Sequence, residues 1–412
     1  MNKVFTAITG TSGATTSAGL IAILAIGFIA TLSSVALAQK NYGPGVTDTE
    51  IKIGQTMPYS GAVSAAAMVG KAHIAYFNMI NERGGINGRK IRLVSLDDSY
   101  NPAKTVEQTR KLVEQEEVSF IFGSLGSASN SAIQKYLNGK QVPHLFITVL
   151  GSRFSDPAHF PWTMPFQPSP RVEVEVFLNY LHDARPDAKI ALLYQNDDFG
   201  KDYLRAAKEL LGDKSARLIV AEASYEVTDP GVDSQIISLK ASGADTLLLA
   251  TTPKFGAFAI RKIHDIGWQP LRFVAYPSTS IGAALAPAGL EKSTGLFSAV
   301  FMKDPTDPAW QQDAGVNEWR SWMKRYHPGG DVADTFNVFG YSGAQLLVEV
   351  LRRCGDELTR GNVMKQAANL RDAELSMLLP GIKVNTSATD YQPIKQAQLR
   401  RFDGTRWVKV EK

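Results

Sequence analysis

Backbone amides and serine hydroxyls are the groups with which an uncharged protein surface holds an anion. One stretch of this chain gathers them. Gly123-Ser124-Leu125-Gly126-Ser127-Ala128-Ser129 follows the apolar run Val118 to Phe122 and precedes a helical pattern carried by Ile133, Tyr136 and Leu137. A helix start has N–H groups without partners and the positive end of the helix dipole. Glycine lets a ligand come close to the backbone there. The chemistry expected is reversible capture of an anionic group, with Ser124, Leu125 and Ser127 as the first candidates. The plainer alternative is that Ser129 or Asn130 only caps the helix.

Other reactive-looking groups point to less. Gly340-Tyr341-Ser342-Gly343-Ala344 approximates the turn that presents a nucleophilic serine, but that turn needs a strand before it. A helix from Asp334 to Cys354 accounts for the stretch more simply. The six histidines show no metal-ligand spacing, so no metal is expected. No dinucleotide or P-loop signature is present, so no cofactor is expected either. Asp97-Asp98 and Asp197-Asp198 each sit at a strand end, where capping is commoner than acid–base work. The chain reads as a binding protein and not as an enzyme, a secreted α/β hydrolase being the remote alternative.

The elements that must position these residues alternate. Ile51 to Thr56, Ile91 to Leu96, Val118 to Phe122 and Val142 to Val149 read as strands, with helices over 65–82, 102–114 and from about Ser127 between them. Prolines at 157, 161, 165, 168 and 170 interrupt the series and mark a crossing between domains. A second series follows, with helices over 171–183, 201–211, 232–242 and 255–267. Its strands are Lys189 to Tyr194, 217–225, Thr246 to Ala250 and 271–275. Residues 308–370 are mostly helical, and Gln396 to Val410 reads as a hairpin turning at Asp403-Gly404. The fold class is α/β with parallel sheets, in two similar lobes, with ligands at the carboxyl ends of the strands.

At 412 residues the chain exceeds one ordinary core. Its net charge of +4 is scattered, which excludes the basic stripe of a nucleic-acid surface. Ala18 to Leu32 is an apolar run too short for a membrane span. It leads to Ala36-Leu37-Ala38, the form of a signal-peptidase site. Residues 1–38 are therefore expected to be a cleaved export signal, and the location periplasmic. The single cysteine, Cys354, allows no internal disulfide.

Gly84-Gly85-Ile86-Asn87-Gly88-Arg89, Asp97-Asp98, Gly123-Ser124 leading to Ser127, and Asn196-Asp197-Asp198-Phe199-Gly200-Lys201 occur in this order and spacing. So do Ser242-Gly243-Ala244-Asp245, Asn337 to Gly343 and Asp403-Gly404. In this the chain resembles the Leu/Ile/Val-binding branch of the solute-binding proteins of ABC importers, from about Asn41 onward. The resemblance implies a type I periplasmic binding protein: two Rossmann-like lobes, three crossings, and a ligand trapped by hinge closure. Lobe 1 would comprise 45–166 and 302–380, and lobe 2 would comprise 167–301 and 381–412. Ser127, Gly151 and Ser152 would hold a ligand carboxylate. Phe199 would close over the ligand, and Thr252, Tyr276 and Ser278 would complete the far wall. The partners implied are a small-molecule ligand and an ABC permease, with the receptor a monomer. Amino-acid binders of the family place an acid in the loop matching Tyr276 to Ser280, which here has none. An unpaired buried ammonium is costly, so an organic carboxylate with an apolar or aromatic body is expected in preference to an α-amino acid.

Overall fold

The computed structural model describes residues 7–10 and 40–410; the expected export signal lies almost wholly outside them. From Tyr42 the chain forms one compact unit built on two sheets. The first holds β1 (Glu50–Met57), β2 (Lys90–Asp97), β3 (Ile121–Phe122), β4 (His144–Ile147) and β5 (Thr163–Pro165), in the order β2-β1-β3-β4-β5. All its pairings are parallel, and β1 and β2 run in register from Glu50 against Lys90 to Met57 against Asp97. The second holds β6 (Ile190–Gln195), β7 (Ile219–Tyr225), β8 (Thr246–Ala250), β9 (Leu271–Val274) and β10 (Phe297–Val300). The hairpin β11 (Gln398–Phe402) and β12 (Trp407–Lys409) extends it antiparallel from β10. Its order is β12-β11-β10-β9-β8-β6-β7.

Strand order therefore reverses direction at β1/β3 in one sheet and at β6/β8 in the other. In an open parallel sheet the crevice beyond such a reversal is where ligands sit. The helices that matter here are α1 (Met68–Glu82), α2 (Pro102–Arg110), α3 (Ser127–Gly139), α4 (Pro170–Ala184), α5 (Asp198–Leu211), α6 (Asp233–Ala241) and α7 (Pro253–Asp265). They alternate with the strands as the sequence pattern requires. Near the C-terminus α8 (Ala314–Tyr326) and α9 (Thr335–Cys354) pack on the first sheet's side with α1. Among the described residues no helix is long and apolar enough to cross a membrane.

Several boundaries shift for tertiary reasons. The run Val118 to Phe122 is a ladder strand only at Ile121–Phe122, because the Arg360 guanidinium takes the carbonyls of Val118 and Ser119 at 3.0 and 2.7 Å. The helix expected over 65–82 begins as a 3₁₀ turn at Ser64–Ala67, and that over 102–114 ends in a π turn at Lys111–Gln115. The Ser342 stretch lies inside α9, fully buried, so no strand–turn–helix elbow forms. Ile382, Val384, Tyr391 and Ile394 join the apolar cluster that packs α1, α8 and α9.

Candidate functional site

The carboxyl ends of the two sheets face a common cavity of about 60 Å³. Each sheet supplies it in turn: Val63 and Ala66 beyond β1, Tyr100 beyond β2, Leu125, Gly126 and Ser127 beyond β3, and Thr148 to Leu150 beyond β4. From the second sheet come Phe199 beyond β6, Thr252 and Pro253 beyond β8, and Tyr276 and Pro277 beyond β9. Phe336 and Phe339 of α9 and Gln167 of the β5–α4 crossing complete the wall. The surface is mostly apolar, and among the described residues no Asp, Glu, Lys, Arg or His lines it.

Two helix starts converge here without a side-chain cap. Gly126 precedes α3 at φ 107°, a conformation that suits glycine. A Cβ at Gly126 would stand 2.6 Å from the Tyr100 ring. Thr252 precedes α7 in extended backbone, and Pro253 follows at the first helical position. Both starts bring N–H groups and the positive end of a dipole to an apolar space. α5 differs, because Asp197 caps it by accepting the N–H groups of Phe199 and Gly200 at 3.0 and 3.2 Å.

The expected residues divide. Leu125, Ser127, Phe199, Thr252 and Tyr276 are on the cavity wall. Four are not. Ser124 is buried and its Oγ accepts the Thr56 N–H at 3.0 Å, bracing β1. Ser278 is buried and its hydroxyl donates to the Thr251 carbonyl at 2.7 Å. Gly151 and Ser152 lie off the wall, where the exposed Ser152 donates its N–H and hydroxyl to Asp202 at 2.9 and 3.2 Å. The Ser127 hydroxyl is already engaged. It donates to the Leu150 carbonyl at 2.9 Å and accepts the Leu150 N–H at 3.1 Å, tying α3 to the loop after β4.

Two carboxyls do reach the Tyr276 to Ser280 loop: Asp334, whose Oδ1 accepts from the Ser280 hydroxyl at 2.9 Å, and one from an element the sequence did not suggest. Glu173 of α4 is buried and accepts the Tyr276 N–H on Oε2 at 3.0 Å. Burial outweighs that bond and raises its pKa to about 8, so the group is mostly neutral at pH 7. It stands behind the loop and not on the cavity wall. Thr252 belongs to a buried net: its N–H donates to the Tyr225 hydroxyl at 3.1 Å, and that hydroxyl donates to Gln195 Oε1 at 3.2 Å. Gln195 Nε2 in turn donates to the Tyr100 hydroxyl at 3.3 Å, joining the two sides. Further contacts cross the mouth, from Asp198 to Ser131 and, at 3.6 Å, to Arg153.

The aspartate pairs act as structural braces. Asp97 accepts from Ser60, Ser99 and Lys104, and Asp98 accepts the Tyr100 N–H at 3.0 Å. No cluster of three or more His, Cys, Asp or Glu able to hold a metal occurs among the described residues. Tyr100 and Gln167 escaped the sequence reading although each follows a recognised strand end or crossing. Phe336 and Phe339 had no local signal, since α9 is remote in sequence from the loops it meets.

The periplasmic binding protein family model matches residues 50–406. Leu/Ile/Val-binding protein homolog 7 of Brucella abortus is 23% identical over 338 residues, which are 78% of this chain and 81% of that protein. A branched-chain amino acid ABC transporter protein of Thermus thermophilus, solved with bound valine, superposes with a TM-score of 0.80 at 16% identity, covering 89% and 97% of the two chains. A fatty acid ABC transporter substrate-binding protein of Thermomonospora curvata gives 0.74 at 22% identity, covering 90% and 94%.

Proposed function

Because the chain belongs to the periplasmic binding protein family, we propose that it is the extracytoplasmic receptor of an ABC importer for a small organic carboxylate. Among solved relatives in fold, one holds valine and another is described as a fatty acid receptor, so the fold leaves the ligand open and the cavity has to decide. The observation that carries the reading is a wall without a charged side chain. A buried ammonium would meet no carboxylate on that wall; of the two carboxyls bonded to the Tyr276 to Ser280 loop from behind, Glu173 is held mostly neutral and Asp334 is engaged by the Ser280 hydroxyl and the Phe336 N–H.

A carboxylate fits the same wall for the complementary reason. The uncapped starts of α3 and α7 offer N–H donors and two positive dipole ends. Phe199, Tyr276, Phe336 and Phe339 offer faces for an apolar body. A branched or aromatic acid matches such a wall. In this reading residues 1–38 are removed on export, the halves close over the acid as a monomer, and a permease in the inner membrane receives it.

Native mass spectrometry of protein taken from the periplasm without refolding tests both parts. The expected spectrum shows a chain beginning at Gln39 with a retained organic acid. A retained α-amino acid, or micromolar calorimetric binding of leucine, would overturn the carboxylate assignment; a chain that keeps Leu20 to Ala30 would overturn export as a soluble receptor.

A further inference from the structure

Gln167 stands on the crossing between β5 and α4, and its backbone is fixed there. Its carbonyl accepts from Gln392 Nε2 at 2.6 Å, and the preceding Phe166 N–H donates to Ile147 at 3.1 Å. The residue is 4% exposed and lines the cavity. Its side-chain amide makes no hydrogen bond to any described residue. Buried amides are almost always paired, because an unpaired one forfeits its bonds to water. Gln134 is the contrasting case, since both of its amide atoms are unpaired and sealed from any open space. The Gln167 amide is not among such sealed, unpaired groups, and the residue stands on the cavity wall.

We propose that Gln167 is a ligand-binding residue and that its amide selects a carboxylic acid bearing a neutral hydrogen-bonding substituent, a hydroxyl first of all. This rests on the carboxylate reading above. The amide offers two donor hydrogens and one acceptor oxygen, without charge. A carboxylate held at the helix starts can take a hydrogen from Nε2 while Oε1 accepts from a ligand hydroxyl. An acid lacking the hydroxyl leaves that oxygen buried and unmet, the situation in which polar sites discriminate most strongly. An ammonium in the same place gains only a neutral acceptor, which does not offset its desolvation. Because Gln167 lies on the crossing itself, the contact also ties the ligand to a segment that joins the two sheets.

The test uses the mature protein and two probe series matched in shape. One is 2-hydroxy-4-methylpentanoate, 4-methylpentanoate and leucine; the other is 3-phenyl-2-hydroxypropanoate, 3-phenylpropanoate and phenylalanine. Calorimetry is expected to rank the hydroxy acid first in at least one series, by about tenfold or more. Gln167→Met, similar in volume, should erase that preference while the unliganded melting temperature stays near that of the parent. Gln167→Glu should weaken both acids and bring in the amino acid of the series. Equal rankings in the parent and Gln167→Met, or no probe bound by the parent, would overturn the assignment. A parent that binds the amino acid best and loses it in Gln167→Met would keep Gln167 as a ligand residue and sink the carboxylate reading.

Discussion

The cavity wall from the first sheet presents backbone and small groups, namely Gly126, Ser127, Thr148 and the chain through Leu150, with Tyr100 beside them. The wall from the second sheet and its loops presents rings, Phe199 and Tyr276, set around Thr252. The second side adds contact area to the α7 start, whereas the first relies on the N–H groups directed by α3. Donors must be aimed to within the angular tolerance of a hydrogen bond, so that side is braced by the Ser127–Leu150 pair. Apolar contact is non-directional, yet the second side is braced too, through the Glu173 carboxyl and the Gln195–Tyr225–Thr252 net. Both walls owe their shape to polar groups set behind them.

Breaking the first wall should have the largest effect. Gly126→Val places a side chain against the Tyr100 ring at a positive φ and is expected to abolish binding of 4-methylpentanoate. The fold should lose about 1–3 kcal/mol, the usual cost of strained backbone, read from chemical denaturation. Unimpaired binding would show that the helix start is not the donor wall.

A smaller effect is expected at Ser127. Ser127→Ala removes both bonds to Leu150 and should lower the stability of the unliganded protein by about 1–2 kcal/mol, with binding weakened through the displaced loop. Weaker binding with no loss of unliganded stability would mean that the hydroxyl serves the ligand directly, as the sequence alone suggested.

The smallest effect on binding should come from Glu173→Gln, and its value is in its pH dependence. The folded-state pKa of Glu173 is raised to about 8 from 4.5. Between these values the native state binds more protons than the unfolded state, so this group makes stability fall as pH rises. The parent should lose stability from about pH 5 to pH 8 relative to Glu173→Gln, which keeps an acceptor for the Tyr276 N–H. Parallel pH–stability curves for the two proteins would remove Glu173 as a buried acid behind the second wall.

The alternation of strands and helices was legible from the sequence because it depends on local pattern. Apolar runs such as Thr246 to Ala250 and helices such as 170–184 carry their period within a few residues. Leu125, Phe199 and Thr252 were legible as strand-end positions by the same logic. The use made of each side chain was not. Ser124 and Ser127 have the same chemistry and lie three residues apart, yet one braces β1 and the other reaches the cavity wall while tied to Leu150. Gln167 and Gln134 are both buried glutamines, and of the two only Gln167 lines the cavity.

By itself, then, the sequence determined the order of elements, the parallel sheets and the loops from which a ligand would be held. Only the tertiary structure decided which groups in those loops remain free. It brought Glu173 behind Tyr276, Arg360 to Val118 and Ser119, and α9 against the cavity. The physical reason is range. Secondary structure follows from periodicity within one segment, whereas a hydroxyl or amide is left free or occupied by partners that can lie anywhere along the chain.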